Sequence, residues 1–446
     1  MGDIERIMSL MTSGAATNES RKMLHTAAAS GQVDVVECLI RMGVDVNVAS
    51  SDGRTALQEA VTCRNEEIMK LLVEAGANAD EPTPIVRGGR TALQMSAQFG
   101  HTQAVRYLID MGANVNALAA PKSGRTALQA AAELGHGGVV KYLIHMGAEV
   151  NAPPAEESGR TALQAAAESG HEDIVKYLID NGADINAPMM ETAGYDKPGR
   201  TALQAAAENG HEEIEIYLIN KGANPNAPPA MYAGRTALQA AAENGYAQIV
   251  KYLINKGADV HAPPAQNYGV TALKAATVRR HISIMILIID NLAPEHCEEY
   301  LFSAFRDGLC SMGESEVAKT ILSAGKINVN TQSDSGDTLL HLALRNRWGN
   351  IVSLLLEMQA STEIRNTENK SPLRLTLEMK DIDMLRILLK YGACTTGIAA
   401  STVRSLLGLC EHKLVLLEEN EVTRCKTLDT VDDWSNFSTS PGCRAL

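Results

Sequence analysis

Aromatic residues and long hydrophobic runs are scarce in this 446-residue sequence. Only 4% of its residues are aromatic, whereas alanine and glycine are abundant, and this composition favours many thin, closely packed layers over one thick core. The longest apolar run, Ile284 to Ile289, is far shorter than the roughly 18 residues of a membrane-spanning helix, and the start shows no pattern typical of a secretory leader. The sequence therefore predicts an intracellular protein, cytoplasmic or nuclear, without membrane insertion.

Paired cysteines and excess positive charge are also lacking. The eight cysteines include no CxxC pair, so neither disulfides nor a zinc site is expected. Acidic residues outnumber basic ones by 53 to 40, and the net charge of −13 opposes binding to a phosphate backbone. Phosphate-loop, dinucleotide-binding and metalloprotease motifs are absent as well. We therefore expect no direct nucleic-acid partner, no cofactor, no metal and no enzymatic activity.

What the sequence does contain is one pattern, repeated many times. Thr-Ala-Leu-Gln or a close variant recurs at steps of 35, 36 or 40 residues, beginning at Thr55, Thr91, Thr126, Thr161, Thr201, Thr236 and Thr271. Weaker copies begin at Lys22, Thr338 and Ser371. A fixed period of this length is typical of stacked supersecondary units, and it predicts about eleven repeats.

Each unit is expected to form two short helices and an extended finger, as in residues 159–188. Thr161 is a good N-cap for a first helix. The apolar residues between Ile174 and Ile179 form the stripe of a second helix, and Gly182 can stop that helix in a left-handed conformation. A single unit cannot cover its own apolar stripe, so stability must come from stacking.

At these residues the sequence resembles the ankyrin repeat family, whose units share a T-P-L-H-x-A-A-x-x-G-H core followed by a hydrophobic helix and G-A-D-V-N. The resemblance covers about residues 2 to 395. The sequence motif GRTALQAAAE is similar to repeats in arrays common in filamentous fungi. It implies an all-α solenoid of stacked helix-turn-helix repeats with extended hairpin fingers. In the family the His of the core bonds between neighbouring loops. Gln164 and its counterparts replace that His here, and Gln can substitute because it both donates and accepts.

Divergence along the chain predicts five segments. Residues 1–21 are expected to form an N-terminal half-repeat or cap, residues 22–291 a regular array of about eight repeats, and residues 292–395 about three degenerate repeats. Residues 396–421 have the pattern of a C-terminal helical cap, and residues 422–446 that of a disordered tail. The sequence leaves open whether the half-repeat is a true cap or the cut end of a larger multidomain protein.

Repeat-spaced polar residues have two possible interpretations. The histidines of the Gly-His turns occur once per repeat, so a structural role is favoured over catalysis. A row of glutamates ends successive first helices, while arginines precede the N-cap threonines. These rows have two interpretations. They are either a solvated surface with ion pairs between repeats, each of which contributes little to stability, or an acidic ridge that contacts a partner. The glutamates are Glu133, Glu168, Glu208 and Glu243.

The fingers vary more than the helices. The span from the stop glycine to the next threonine is 14 residues after Gly147 but 19 after Gly182. Exposed methionine and tyrosine are favoured at interfaces, and neighbouring prolines reduce the entropy lost on binding. Candidate partner contacts are therefore Met189, Met190, Tyr195, Met231, Tyr232 and Tyr268. The alternative is that these side chains fold back as local core.

Two functions fit these features. The first is a non-enzymatic scaffold or recognition module, most simply a monomer, that binds another protein through the fingers and concave face of the solenoid. The second is a nuclear transcriptional co-regulator that binds transcription factors. The second is disfavoured by the sparse basic residues, which form no strong import cluster. The identity of the partner is not encoded in the repeat, because this architecture carries many recognition tasks.

Overall fold

The computed structural model describes residues 18–83, 89–121, 124–155, 159–187, 199–292, 318–319, 322–323 and 328–393. The chain divides into two compact units between Ala272 and Leu273. Within the described stretches of both units there are helices, turns and two isolated β-bridges, and no strand. The predicted all-α class is confirmed.

The first unit contains seven pairs of helices, counted over its described residues. The pairs are Asn18–Ser30 with Val33–Arg41, Ala56–Thr62 with Glu66–Glu74, Ala92–Gln98 with Thr102–Asp110, Ala127–Glu133 with Gly137–His145, Ala162–Ser169 with Glu172–Asp180, Ala202–Asn209 with Glu212–Asn220, and Ala237–Asn244 with Ala247–Asn255. Each repeat is named below by the residue that precedes its first helix, so that residues 162–187 belong to the Thr161 repeat.

The second unit repeats the same pattern in its described part. Its helices are Ala272–Arg279, which begins at the boundary, Ile282–Asp290, Leu339–Arg345 with Gly349–Glu357, and Pro372–Met379 with Ile382–Lys390. In this unit Leu339–Arg345 packs on Pro372–Met379, and Gly349–Glu357 packs on Ile382–Lys390.

Local sequence determines where each helix begins and ends. Thr161 caps the first helix, since its hydroxyl accepts a bond from the backbone N–H of Gln164 while the Gln164 side chain accepts one from the backbone N–H of Thr161. Gly170 ends that helix with a φ of +80°, and Gly182 adopts a φ of +86° after the second helix. Both are left-handed conformations that favour glycine. The predicted cap and stop residues are confirmed.

The core of the first unit lies between repeats. Each first helix packs against its own second helix and against the first helices of neighbouring repeats, and successive second helices also pack together. Leu163, Ala166 and Val175 are almost completely buried, whereas Ile179 at the edge of the predicted stripe is only half-buried. Alanine on the first helices permits this close approach, as the composition indicated.

Two of the expected segment boundaries coincide with described residues. The first described helix, Asn18–Ser30, runs across the expected division at 21/22. The two compact units divide at 272/273, one repeat before the expected change at residue 292. The helical cap at 396–421, the tail at 422–446 and the degenerate repeat near Glu299 lie outside the described residues. The five-segment division stays a prediction.

Candidate functional site

The fingers are fastened to the first helices by buried glutamine side chains. Gln129 Nε2 donates to the carbonyls of Ala152 and Pro153 at 3.0 and 3.1 Å, while its Oε1 accepts from the backbone N–H of Thr126. Equivalent bonds to the finger carbonyls are made by Gln58, Gln94, Gln164, Gln204 and Gln239. These bonds confirm that glutamine substitutes for the histidine of the family core. They fix the base of each finger relative to the helices.

Two repeats keep histidine at this position, and in each the ring bonds to a backbone carbonyl that follows the second helix. His25 Nε2 bonds to the carbonyl of Val48 at 2.9 Å, and His341 Nε2 to that of Lys370 at 3.0 Å. Burial lowers the pKa of both histidines, and the backbone bond opposes that shift only in part. A neutral ring has one donor and one acceptor nitrogen, and at His341 the Nδ1 accepts from the backbone N–H of Thr338 at 3.2 Å.

The turn histidines join neighbouring repeats. His171 Nε2 bonds to the carbonyl of Glu133 at 3.0 Å, and its ring lies so close to Gly135 that a Cβ there would sit 2.6 Å from the ring. His136 and His211 bond in the same way to the carbonyls of Gln98 and Glu168. These histidines therefore have the predicted structural role.

The Thr236 repeat replaces this histidine without losing the contact. Tyr246 packs on Gly210 in place of the imidazole, and Asn244 Nδ2 donates to the Glu208 carbonyl at 3.0 Å. Because two residues change together, the carbonyl that the histidine would have bonded keeps a partner.

A ladder of asparagines also links the repeats, and the sequence pattern alone did not identify it. Asn116 Nδ2 donates to the carbonyl of the stop glycine Gly147 at 3.0 Å, and Asn116 Oδ1 accepts from the backbone N–H of Glu149 at 2.8 Å. Asn151 and Asn226 make the same pair of bonds to the following repeat. The signal is the Asn that recurs before Ala at the start of four fingers, a residue that a simple turn would also explain.

Tyrosines on the second helices form a third repeat-to-repeat contact. The guanidinium of Arg106 lies 4.9 Å from the centre of the Tyr142 ring, and the Tyr142 hydroxyl donates to Asp110 at 3.4 Å. Lys141 lies over Tyr177 in the next pair of repeats, at 5.7 Å. A cation over a ring contributes about 0.5 to 1 kcal/mol at an exposed site, so these tyrosines stabilise the stack.

The four predicted glutamates lie on the first helices with their charge paired. Glu133, Glu168, Glu208 and Glu243 contact Arg125, Arg160, Arg200 and Arg235, respectively. Each of these four pairs forms within one repeat and spans eight residues. All eight side chains are partly buried. The row is an alternation of opposite charges on the surface of the first helices.

The described fingertips expose large side chains. Tyr232 is 46% exposed, Met231 43% and Tyr268 85%. The backbone N–H of Ala233 donates to the carbonyl of Asn267 at 2.8 Å, and the N–H of Asn267 donates to the carbonyl of Met231 at 3.2 Å. The two tips therefore hold each other through a parallel bridge between Tyr232 and Asn267. Met189, Met190 and Tyr195 lie outside the described residues.

One interior residue breaks the apolar pattern. Glu215 is 1% exposed and occupies the place that Val175 and Val250 hold in the neighbouring repeats. Neither carboxylate oxygen has a hydrogen-bond partner. Burial, with a smaller contribution from Glu212, raises the pKa of Glu215 to about 9. The carboxyl is therefore protonated at neutral pH.

Two features of other protein classes are absent from the described residues. No group of three or more His, Cys, Asp or Glu side chains there could hold a metal ion. None of the described helices is both long and apolar enough to cross a membrane.

Matches to curated proteins are short relative to those proteins. The chain is 37% identical over 70 residues to a probable serine/threonine-protein kinase of Dictyostelium discoideum, and 44% identical over 62 residues to the human ankyrin repeat and SAM domain-containing protein 3. It is 30% identical over 84 residues to a probable 26S proteasome regulatory subunit p28 of Saccharomyces cerevisiae. These matches cover 15%, 14% and 19% of this chain but only 8%, 10% and 37% of the relatives.

Two further comparisons concern a solved structure and a family model. The crystal structure of the human ASB11 ankyrin repeat domain is 26% identical, with a TM-score of 0.43, and the match covers 54% of this chain and 99% of that one. A family model described as ankyrin repeats matches residues 2–83, 79–154, 152–229, 191–264, 226–298 and 308–397. Ankyrin repeats are in general protein–protein interaction modules. The chain belongs to the ankyrin repeat family.

Proposed function

We propose that this protein is a non-enzymatic recognition scaffold that binds a partner protein through its fingers. The exposed tip formed by Met231, Tyr232 and Tyr268 carries this proposal, because methionine and tyrosine are enriched in protein interfaces. An isolated exposed side chain would mean little, whereas three of them on two fingers form a continuous candidate surface.

The backbone supports the same role. The bonds between the two tips hold Met231 and Asn267 in register, and the buried glutamines fix the base of each finger. Ala233 and Tyr268 adopt positive φ values of 47° and 59°, which are costly for residues other than glycine. A surface that is ordered before binding loses less entropy when the partner arrives.

The composition of the preceding finger places it in the same proposal. Met189, Met190 and Tyr195 lie on the longest connection of the array and have the same composition as the described tips. We place the protein inside the cell, in the cytoplasm or the nucleus, and treat it as a monomer that carries no cofactor and makes no direct contact with nucleic acid. Partner binding is the only activity proposed for it.

Affinity capture tests the proposal. The intact chain and a variant with alanine at Met189, Met190, Tyr195, Met231 and Tyr232 would be used as baits in extract from the native cell, after circular dichroism has shown equal folding. The proposal expects at least one protein that the intact chain retains and the folded variant loses. Equal capture by both chains would exclude the fingers as the binding surface. A control variant with alanine at exposed Met111 should capture as the intact chain does.

A further inference from the structure

Six repeats have an arginine directly before the N-cap threonine, and five of these arginines are paired with a glutamate while one is not. Arg54 contacts Glu59 at 3.5 Å. Arg125, Arg160, Arg200 and Arg235 each contact the glutamate eight residues later. In the Thr91 repeat the arginine is Arg90, and the residue eight positions later is Gln98. The Arg90 side chain forms no ion pair or hydrogen bond with the described residues.

The surroundings of Arg90 make this unpaired charge unusual. Its guanidinium is partly buried, and the charges that act on it are those of Arg125 and Glu133 in the next repeat. Glu133 is already paired with Arg125, whose own charge repels Arg90. Burial lowers the pKa of Arg90, and Arg125 lowers it further. An additional carboxylate beside Arg90 would offset both the desolvation of its guanidinium and the repulsion from Arg125.

The backbone of Arg90 is held in place at the base of a finger. Its N–H donates to the Thr83 hydroxyl at 2.9 Å, and its carbonyl accepts from the Thr83 N–H at 2.9 Å. The Gln58 side chain donates to the same carbonyl at 3.3 Å. Arg90 is therefore presented on a fixed backbone.

Apolar exposure coincides with the missing carboxylate. Phe99, next to Gln98, is 37% exposed, and Leu134, next to Glu133, is 47% exposed. The following repeats have Ser169, Asn209 and Asn244 at this position. The Thr91 repeat, which contains the unpaired cation, and the Thr126 repeat, which follows it, thus present large apolar side chains directly after their first helices.

We propose that Arg90, Gln98, Phe99 and Leu134, here called the Arg90 patch, bind a segment of a partner protein that places an Asp or Glu side chain beside an apolar one. The partner carboxylate occupies the place that the glutamate eight residues later fills in four repeats, and the apolar side chain covers Phe99 and Leu134. The inference rests on the proposed role in protein recognition but concerns a surface distinct from the fingertips. Charge complementarity selects this occupant over a basic or neutral segment.

A peptide selection tests the assignment even with the partner unidentified. A phage-displayed library of random peptides would be selected on the full-length chain, with the Arg90→Gln chain used for counter-selection. We expect enriched peptides to pair Asp or Glu with Leu, Ile, Met or Phe. An enriched pool that is neutral or basic, or the absence of any peptide that distinguishes the two chains, would overturn the assignment.

Matched variants then separate charge from folding. Arg90→Gln should weaken binding of an enriched peptide by about tenfold or more, since a hydrogen bond to a charged group is lost, while thermal unfolding stays unchanged. Gln98→Glu should weaken binding to a similar extent, because it supplies the carboxylate within the chain, as in the Thr126 repeat. Arg160→Gln, which alters a paired arginine, should leave the affinity within about twofold.

The outcomes also distinguish this inference from the proposed function. If Arg90→Gln and Gln98→Glu bind the selected peptides as the intact chain does, the Arg90 patch is not a binding site, and the fingertip experiment stands unaffected. If both variants lose the peptides but still capture the partner found with the fingertips, the patch is a second recognition surface.

Discussion

Two neighbouring repeats, at Thr161 and Thr201, share almost the same first helix and differ at one interior position. The second helix of the Thr161 repeat buries Val175, while that of the Thr201 repeat buries Glu215 at the corresponding place. Both helices span nine residues and end in the same type of turn. The comparison shows that stacking contacts determine the backbone and tolerate an unpaired buried carboxyl, so the cost of that carboxyl appears in stability and not in shape.

A second comparison concerns the surface. The Thr126 repeat pairs Arg125 with Glu133, whereas the Thr91 repeat lacks the glutamate. The first helices of these two repeats are alike, and the difference is that Arg90 keeps a positive charge that its own repeat does not pair. We therefore expect interior departures from the repeat pattern to change stability, and we propose the surface departure at Arg90 as a position at which a partner is recognised.

The largest expected effect is a pH dependence of the free energy of unfolding, which tests the comparison between Glu215 and Val175. The unfolded chain releases the Glu215 proton near pH 4.5, whereas the folded chain keeps it to about pH 9. The free energy of unfolding should therefore fall as pH rises through this interval, by on the order of 6 kcal/mol in total for this group. Urea unfolding across the interval should show this slope in the intact chain and lose it in Glu215→Val.

The matched variants make the pH test specific. Glu213→Gln removes an exposed carboxyl of the same helix and should change stability by no more than about 0.5 kcal/mol. Val175→Glu should introduce a comparable slope into the Thr161 repeat. An unchanged slope in Glu215→Val would contradict the assignment of a protonated interior carboxyl.

A core deletion gives the next largest effect. Leu163→Ala should lower the free energy of unfolding by about 2 to 5 kcal/mol, because Leu163 is buried between stacked first helices. Leu203→Ala, the same change in the Thr201 repeat, should cost a similar amount. A much smaller cost at Leu203 would show that Glu215 has already loosened that repeat. Chemical denaturation at low pH, where Glu215 is protonated in both the folded and the unfolded chain and so adds no ionisation cost, provides the control.

Removal of a finger anchor should have a smaller, local effect. Gln204→Ala leaves the carbonyls of Ala227 and Pro228 without the donor they have now, at a cost of about 1 to 3 kcal/mol. Amide hydrogen exchange should speed up in residues 223–235 and not in the Thr126 repeat. Uniform acceleration along the array would contradict a local anchoring role.

The smallest effect is expected at the fingertips. Met231→Ala should change the free energy of unfolding by roughly 0.5 kcal/mol or less, because the side chain is exposed. Thermal melting of this variant beside Leu163→Ala measures the contrast directly. A large loss at Met231 would mean that the tip is local core, which is the alternative interpretation of its composition.

Much of the fold was predictable because each signal is local and repeated. The Thr161 cap, the Gly182 stop and the replacement of histidine by Gln164 follow from residue chemistry at fixed spacing, and all are observed. Pairing of the charged rows was predicted, but its direction was not, since spacing alone cannot tell whether Arg125 reaches Glu133 or a residue of the next repeat.

The candidate sites were less predictable. The sequence shows Glu215 among apolar residues, yet its complete burial depends on packing from neighbouring helices. Arg90 looks like every other arginine of its row, and only the contacts of its counterparts reveal that it lacks the ion pair they form. Partner identity depends on a second molecule, so it is not contained in the repeat pattern.

Photo-crosslinking from single positions tests the central claim, recognition of a protein by the fingertips, most directly. A photoreactive phenylalanine analogue would be placed at position 232 in one chain and at exposed position 111 in another, and both chains would be irradiated in native extract. The account predicts a crosslinked protein from position 232 that is missing from position 111. Crosslinks from position 111 alone, or the same products from both positions, would contradict it.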